Sequence, residues 1–145
     1  MLWAHRNIVA KIWSNDHCPP HVTFICAAEQ WTARIQFSMT SAHIELMDIK
    51  PLKNAPTRLL VNSLMHQTEQ NLAVCRSTWW NKQGTVCLDN QRVIRTSAGV
   101  VNVAGATGDA GTIIAGTGRF VVKGVVAKVR WQSGEITEET ILADA

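Results

Sequence analysis

Residues 31–37 read WTARIQF, and their order is strict: Trp31, Ala33, Ile35 and Phe37 alternate with Thr32, Arg34 and Gln36. A period of two puts four apolar side chains on one face of an extended chain and the polar ones on the other, so the stretch predicts a half-buried β-strand. Working outward, residues 21–27, HVTFICA, set Val22, Phe24 and Cys26 against His21, Thr23 and Ile25, and residues 7–13, NIVAKIW, alternate as well. Between these two runs lies SNDHCPPH, residues 14–21, whose two prolines fix the backbone and donate nothing to a ladder. The combination predicts a hairpin. A weaker strand at HIELMDI, residues 43–49, brings the number to four, and four consecutive strands favour an antiparallel meander.

The periodicity then changes. Asn54 is placed to cap a helix start and Pro56 to sit in its first turn. Beyond them Val61, Leu64, Met65, Thr68, Leu72, Cys75 and Trp79 recur at intervals of three and four, one stripe of a single long helix that Gly84 would end. Asn62, His66, Glu69, Arg76 and Trp80 fall on its other side, which leaves Trp80 as a large apolar group in need of cover.

After Gly84 glycines crowd the chain and separate short Val/Ile runs. TVCL with QRVI reads as a hairpin around Asp89–Asn90, GVVNVA and GTIIA as short strands around ATGDA, and VVKGVVAKVRW as one longer strand that turns at QSGE into EITEETIL. Short strands at this density of glycine predict a small barrel. The expected fold is therefore α+β: an antiparallel sheet packed on one long helix over residues 1–84, then a small SH3-like β-barrel over 85–145 docked onto the helix near Trp80.

The totals bound the function. A chain of 145 residues, 46% hydrophobic and 17% charged, buries a core without staples and is far from the composition of disordered chains. A net charge of +3 and a pI near 8.8 permit an acidic partner but fall short of a dedicated nucleic-acid binder. Cys18, Cys26, Cys75 and Cys87 are irregularly spaced, with no C-x-x-C for zinc or thiol exchange. With neither an apolar export segment behind Met1 nor a run long enough to span a bilayer, the expectation is a cytoplasmic protein with reduced thiols and no membrane partner.

Asp16, His17, Pro19, Pro20 and His21, followed by the WTARI strand and a helix through Trp79, resemble a bacterial family known only as domain of unknown function 4160, whose signature is D-H-x-P-P-H-x-H. The resemblance covers roughly the first 84 residues. It implies an opening strand, a short sheet and a Trp-ended helix, and a setting in bacterial mobile or toxin–antitoxin-like loci, with no established activity. One departure matters: where the family carries a final His, two residues after His21, this chain has Thr23. The second half is similar to SH3-like or Tudor-like barrels through GDAGTIIA (108–115) and VRWQSGE (129–135), a shape that does not by itself specify a ligand.

Two sets of residues carry candidate chemistry. In the first, Asp16, His17 and His21 could ligate a divalent metal, and Cys18 beside His17 or His21 could act as a nucleophile. A catalytic zinc needs three converging ligands, however, and the extended Pro19–Pro20 pair separates the imidazoles, so a turn built by Asp16 and the prolines is the first expectation and no cofactor is expected. In the second set, Lys128 and Arg130 share one strand face, with Arg119 and Lys123 shortly before them, and Trp80 is an exposed aromatic. Such a face could hold phosphates, although Glu135, Glu138 and Glu139 on the following segment could pair with it. GATGDAGT, residues 105–112, lacks the Lys-Ser/Thr ending of a phosphate loop. The leading expectation is a non-enzymatic accessory or binding protein for a nucleic-acid or protein partner, able to form a homo-oligomer through exposed tryptophans. The alternative is a small metal- or His-dependent enzyme centred on the D-H-C-P-P-H turn.

Overall fold

A computed structural model describes residues 1–102, 110–122 and 124–142. Among these the chain is mostly β, 43% strand and 21% helix, and it divides into two compact units: Met1–Ser38 with Ala42–Gln83, and Met39–Ser41 with Gly84–Ala145. No helix among the described residues is long and apolar enough to cross a membrane.

The first unit opens with a five-stranded antiparallel sheet in chain order: β1 (Trp3–His5), β2 (Ile8–Lys11), β3 (His21–Cys26), β4 (Trp31–Phe37) and β5 (Ile44–Lys50). Alternation in β4 is complete, with Trp31, Ala33, Ile35 and Phe37 buried and the residues between them half-buried. Register sets Val22 opposite Ile35 and Phe24 opposite Ala33, so both strands turn the same face to the core. The expected four-strand meander gains a fifth strand at its start, where Arg6 turns the chain at a φ of 54°.

The single long helix is corrected to two short ones, α1 (Arg58–Gln70) and α2 (Leu72–Gln83). The break has a local cause. The Thr68 hydroxyl donates to the Leu64 carbonyl at 2.9 Å, and the Asn71 side-chain amide donates to the Gln67 carbonyl at 2.8 Å. These side chains share carbonyls with the helix ladder: the Asn71 backbone amide still donates to the Gln67 carbonyl at 3.0 Å, but Asn71 leaves helical geometry at φ −109°, ψ 24°. The N-terminus also differs: Thr57 caps α1, its Oγ1 accepting from the Leu60 amide at 3.2 Å, whereas Asn54 ends a 3₁₀ turn and donates to the Gln30 carbonyl. The apolar stripe survives the break. Val61, Leu64 and Thr68 of α1 and Cys75 and Trp79 of α2 are all buried, with Trp79 edge-on to Phe37 at 6.2 Å.

The second unit is a small barrel of five strands: β6 (Arg92–Thr96), β7 (Gly99–Asn102), β8 (Ala110–Ile113), β10 (Gly124–Trp131) and β11 (Ile136–Leu142), with β9 (Arg119–Val121) added along β10. Antiparallel pairs run β7–β6–β8–β10–β11, and a parallel pair between β11 and β7, Ile141 opposite Val100, closes the ring. Val125, Ala127, Val129 and Trp131 point inward from β10, together with Val93, Ile113 and Ile141. Two strand expectations are corrected. TVCL forms no strand, although Val86 and Leu88 are buried, and VVKGVVAKVRW is two strands, because Gly124 takes a φ of 133° that most side chains disfavour. Most of ATGDA lies outside the described residues.

Candidate functional site

The D-H-C-P-P-H turn spends its polar groups on itself. Asp16 Oδ2 accepts from the Trp13 amide at 2.9 Å while the Asp16 amide donates to the Trp13 carbonyl at 3.2 Å. His21 is buried, with Nδ1 2.9 Å from the Pro19 carbonyl. A carbonyl only accepts, so Nδ1 carries the proton. Nε2 faces Asp16 Oδ1 at 3.6 Å. Both ring nitrogens therefore face the turn, and neither is turned toward a substrate or toward the hydroxyl of Thr23. His17 is exposed. Cys18 is exposed too but is not among the free thiols, which are the buried Cys26 and Cys75. The expectation of reduced thiols is corrected for Cys18, which is not among the free cysteines. Burial pushes the Cys75 thiol up to about 12, which makes it a packing residue. Among the described residues no group of three or more His, Cys, Asp or Glu could hold a metal. Asp16 and His21 are thus brought together, and His17 and Cys18 do not join them.

The barrel face divides its cations into two groups. On β10, Lys128 and Arg130 point outward. Lys128 lies directly opposite Glu138 of β11, and Arg119 of β9 makes an ion pair with the same Glu138. Arg119 is therefore paired, and Lys128 faces the same carboxylate across the ladder, an arrangement of opposite charges at facing positions. Lys123 lies outside the described residues, and Trp80 is half-buried on α2 of the first unit.

Arg130 is different. Its register partners are Ile136 of β11 and Thr112 of β8, and Thr112 is in turn opposite Arg92 at the start of β6. One row across three strands reads Arg92, Thr112, Arg130. Facing residues of neighbouring strands share a face, so the two arginines flank the threonine hydroxyl with roots about 10 Å apart, two strand spacings. Neither arginine makes an ion pair among the described residues. They border an open groove of about 370 Å³ that is also lined by Gly111, Trp131 and Gln132.

The strand beneath the row is fixed by packing in the barrel interior. A Cβ on Gly111 would stand 2.6 Å from Val129 Cγ1 and 2.9 Å from Trp131 Cε3, which point into the barrel, so only glycine fits on the interior face next to Thr112. Trp131 is 3% exposed and anchored: its Nε1 donates to Thr137 Oγ1 at 2.8 Å, Thr137 donates to Glu139 Oε2 at 3.0 Å, and the Arg95 guanidinium lies 3.9 Å from its ring centre. The indole is held inside the barrel and is not a free stacking platform.

Arg92 is the member that sequence reasoning did not single out. Its distance from Arg130 along the chain carries no signal, because only the pairing register brings them to one row. The only trace in the sequence is the assignment of QRVI to a strand whose outward positions include Arg92. No protein-family model matches the chain, and no curated protein or solved structure matches it.

Proposed function

We propose that the chain is a non-enzymatic binding module whose barrel grips the phosphate backbone of single-stranded nucleic acid along the Arg92–Thr112–Arg130 row. The observation that carries this reading is the pair of outward arginines without a carboxylate partner, flanking a hydroxyl at an open groove. Guanidinium forks match phosphate oxygens with paired N–H donors, and the Thr112 hydroxyl can donate a further hydrogen bond between them. The groove has no exposed aromatic face on which a base could stack, since Trp131 is buried. Binding should therefore be modest in affinity and indifferent to sequence, carried by the backbone alone.

The test is fluorescence anisotropy with labelled single-stranded oligonucleotides of unrelated sequence. Parent protein should bind them alike, and Arg92→Gln with Arg130→Gln should abolish binding while leaving the circular dichroism spectrum intact. If the double variant binds like the parent, the row is not the contact. If polyglutamate displaces the oligonucleotide at equal charge concentration, the partner is an acidic protein surface and the nucleic-acid reading fails.

A further inference from the structure

The outer face of the first sheet carries a second row of similar chemistry. Lys11 of β2, Thr23 of β3 and Arg34 of β4 lie directly opposite one another. Strand alternation turns them away from the face that buries Val22 and Phe24. Thr23 is only 4% exposed, and its hydroxyl has no hydrogen-bond partner. A buried hydroxyl left unsatisfied is costly, and its residue stands in the row between two cations.

The charges around it are already allotted in a way that leaves donors over. Arg34 Nε donates to both Asp48 oxygens at 3.0 Å, and Nη2 donates to Asp48 Oδ2 as well. Those bonds fix the guanidinium plane and leave the Nη1 donors uncommitted. Asp48 is also 3.8 Å from Lys50 Nζ, and Asp16 is turned to His21. Lys11 is half-buried and makes no ion pair among the described residues. Around Thr23 there are thus an ammonium, a guanidinium edge and a hydroxyl, with Asp48 held between Arg34 and Lys50 and Asp16 turned to the His21 ring. Two cationic groups with uncommitted donors beside a hydroxyl suit an oxyanion.

We propose that Lys11, Thr23 and Arg34 form an oxyanion site for a phosphate group, entered when the alkyl stems of Lys11 and Arg34 part above the hydroxyl. The site stands on the first unit and does not depend on the barrel groove. The experiment therefore uses the full chain carrying Arg92→Gln and Arg130→Gln, which removes the groove's guanidiniums. Inorganic phosphate is titrated against chloride at fixed ionic strength and followed by proton–nitrogen NMR. Saturable shifts at the Thr23 amide and the Arg34 Nε–H are expected, and Thr23→Val should weaken phosphate binding about tenfold, the effect of one hydrogen bond to a charged group. Thr23→Val keeps the shape of the side chain and removes the unsatisfied hydroxyl, so its melting temperature should equal or exceed the parent's. Two further arms, a nucleoside monophosphate and a dinucleotide with a single diester, separate the sources. Binding of the monoester alone supports the site and assigns it to a small phosphorylated ligand, and binding of both supports it and assigns it to a nucleic-acid backbone. The absence of saturable shifts, or a Thr23→Val variant that titrates like its parent, would overturn the proposal.

Discussion

The matching of Arg119 and Lys128 with Glu138, against the bare Arg92 and Arg130, makes a numerical prediction about salt. Each phosphate neutralised on a single strand contributes about −0.7 to the slope of log K against log salt, so two arginines give about −1.4 and a fourfold rise in salt weakens binding about sevenfold. Were all four cations in contact, the slope would approach about −2.8 and the same rise would cost about fiftyfold. The assay is oligonucleotide anisotropy between 50 and 200 mM potassium chloride, values taken from the range over which such slopes are commonly read. Arg92→Gln or Arg130→Gln alone should each lower the slope by about 0.7. Lys128→Gln should lower the slope less than Arg130→Gln does, because Lys128 faces the Glu138 carboxylate across the ladder. A parent slope near the four-phosphate value, or a drop in slope with Lys128→Gln equal to that of Arg130→Gln, would refute the division of the face.

Three further outcomes follow from the packing and the ionisations. Gly111→Ala should destabilise the barrel by about 1–3 kcal/mol through overpacking against Val129 and Trp131, read as a lower urea midpoint for Trp131 fluorescence. Hydrogen bonds from Arg34 hold the Asp48 carboxyl below the ordinary carboxylate range. The unfolded chain therefore takes up the Asp48 proton first as pH falls: the contribution of Asp48 is complete above about 3.9 and is lost as pH drops through the lower folded value. Asp48→Asn should remove that part of the acid sensitivity in a melting series from pH 5 to pH 2, and an unchanged profile would count against the pair. Finally, burial of Cys75, with its thiol pushed up to about 12, should leave it unlabelled by iodoacetamide in the native protein and labelled in urea. Rapid native labelling would mean that α2 opens readily.

The α+β expectation of a sheet packed on one long helix gave way to a mostly β chain, but individual strands were legible where one face alone is buried. WTARIQF and HVTFICA could be read because a slip of one residue would expose the whole apolar set. The long helix was misread for a definite reason. Asn71 interrupts the backbone, yet the spacing from Thr68 through Leu72, Cys75 and Trp79 keeps phase across it, so periodicity sees one helix where hydrogen bonding makes two. VVKGVVAKVRW failed the other way. A run of valines hides its turn, and only the conformation of Gly124 reveals it. At β1 the turn rests on Arg6 in a left-handed conformation that residue type does not announce. The candidate sites show the same limit. Lys128 and Arg130 were visible as outward neighbours on one strand, while Arg92 and the Lys11–Thr23–Arg34 row exist only through register between strands.

The strand that carries Arg130 is paired with β8, β9 and β11, and this bears on the entropy of binding. A backbone ladder on both sides leaves the root of Arg130 no freedom to lose when a ligand arrives, and Arg92 is similarly fixed through β8. What remains to be ordered is the side chain itself, at up to about 2 kcal/mol for a long cationic chain. The barrel thus acts as a rigid comb whose teeth alone are flexible. Ligands that present phosphates at the spacing of its strands need only still those teeth, and ligands of any other spacing would have to bend the comb.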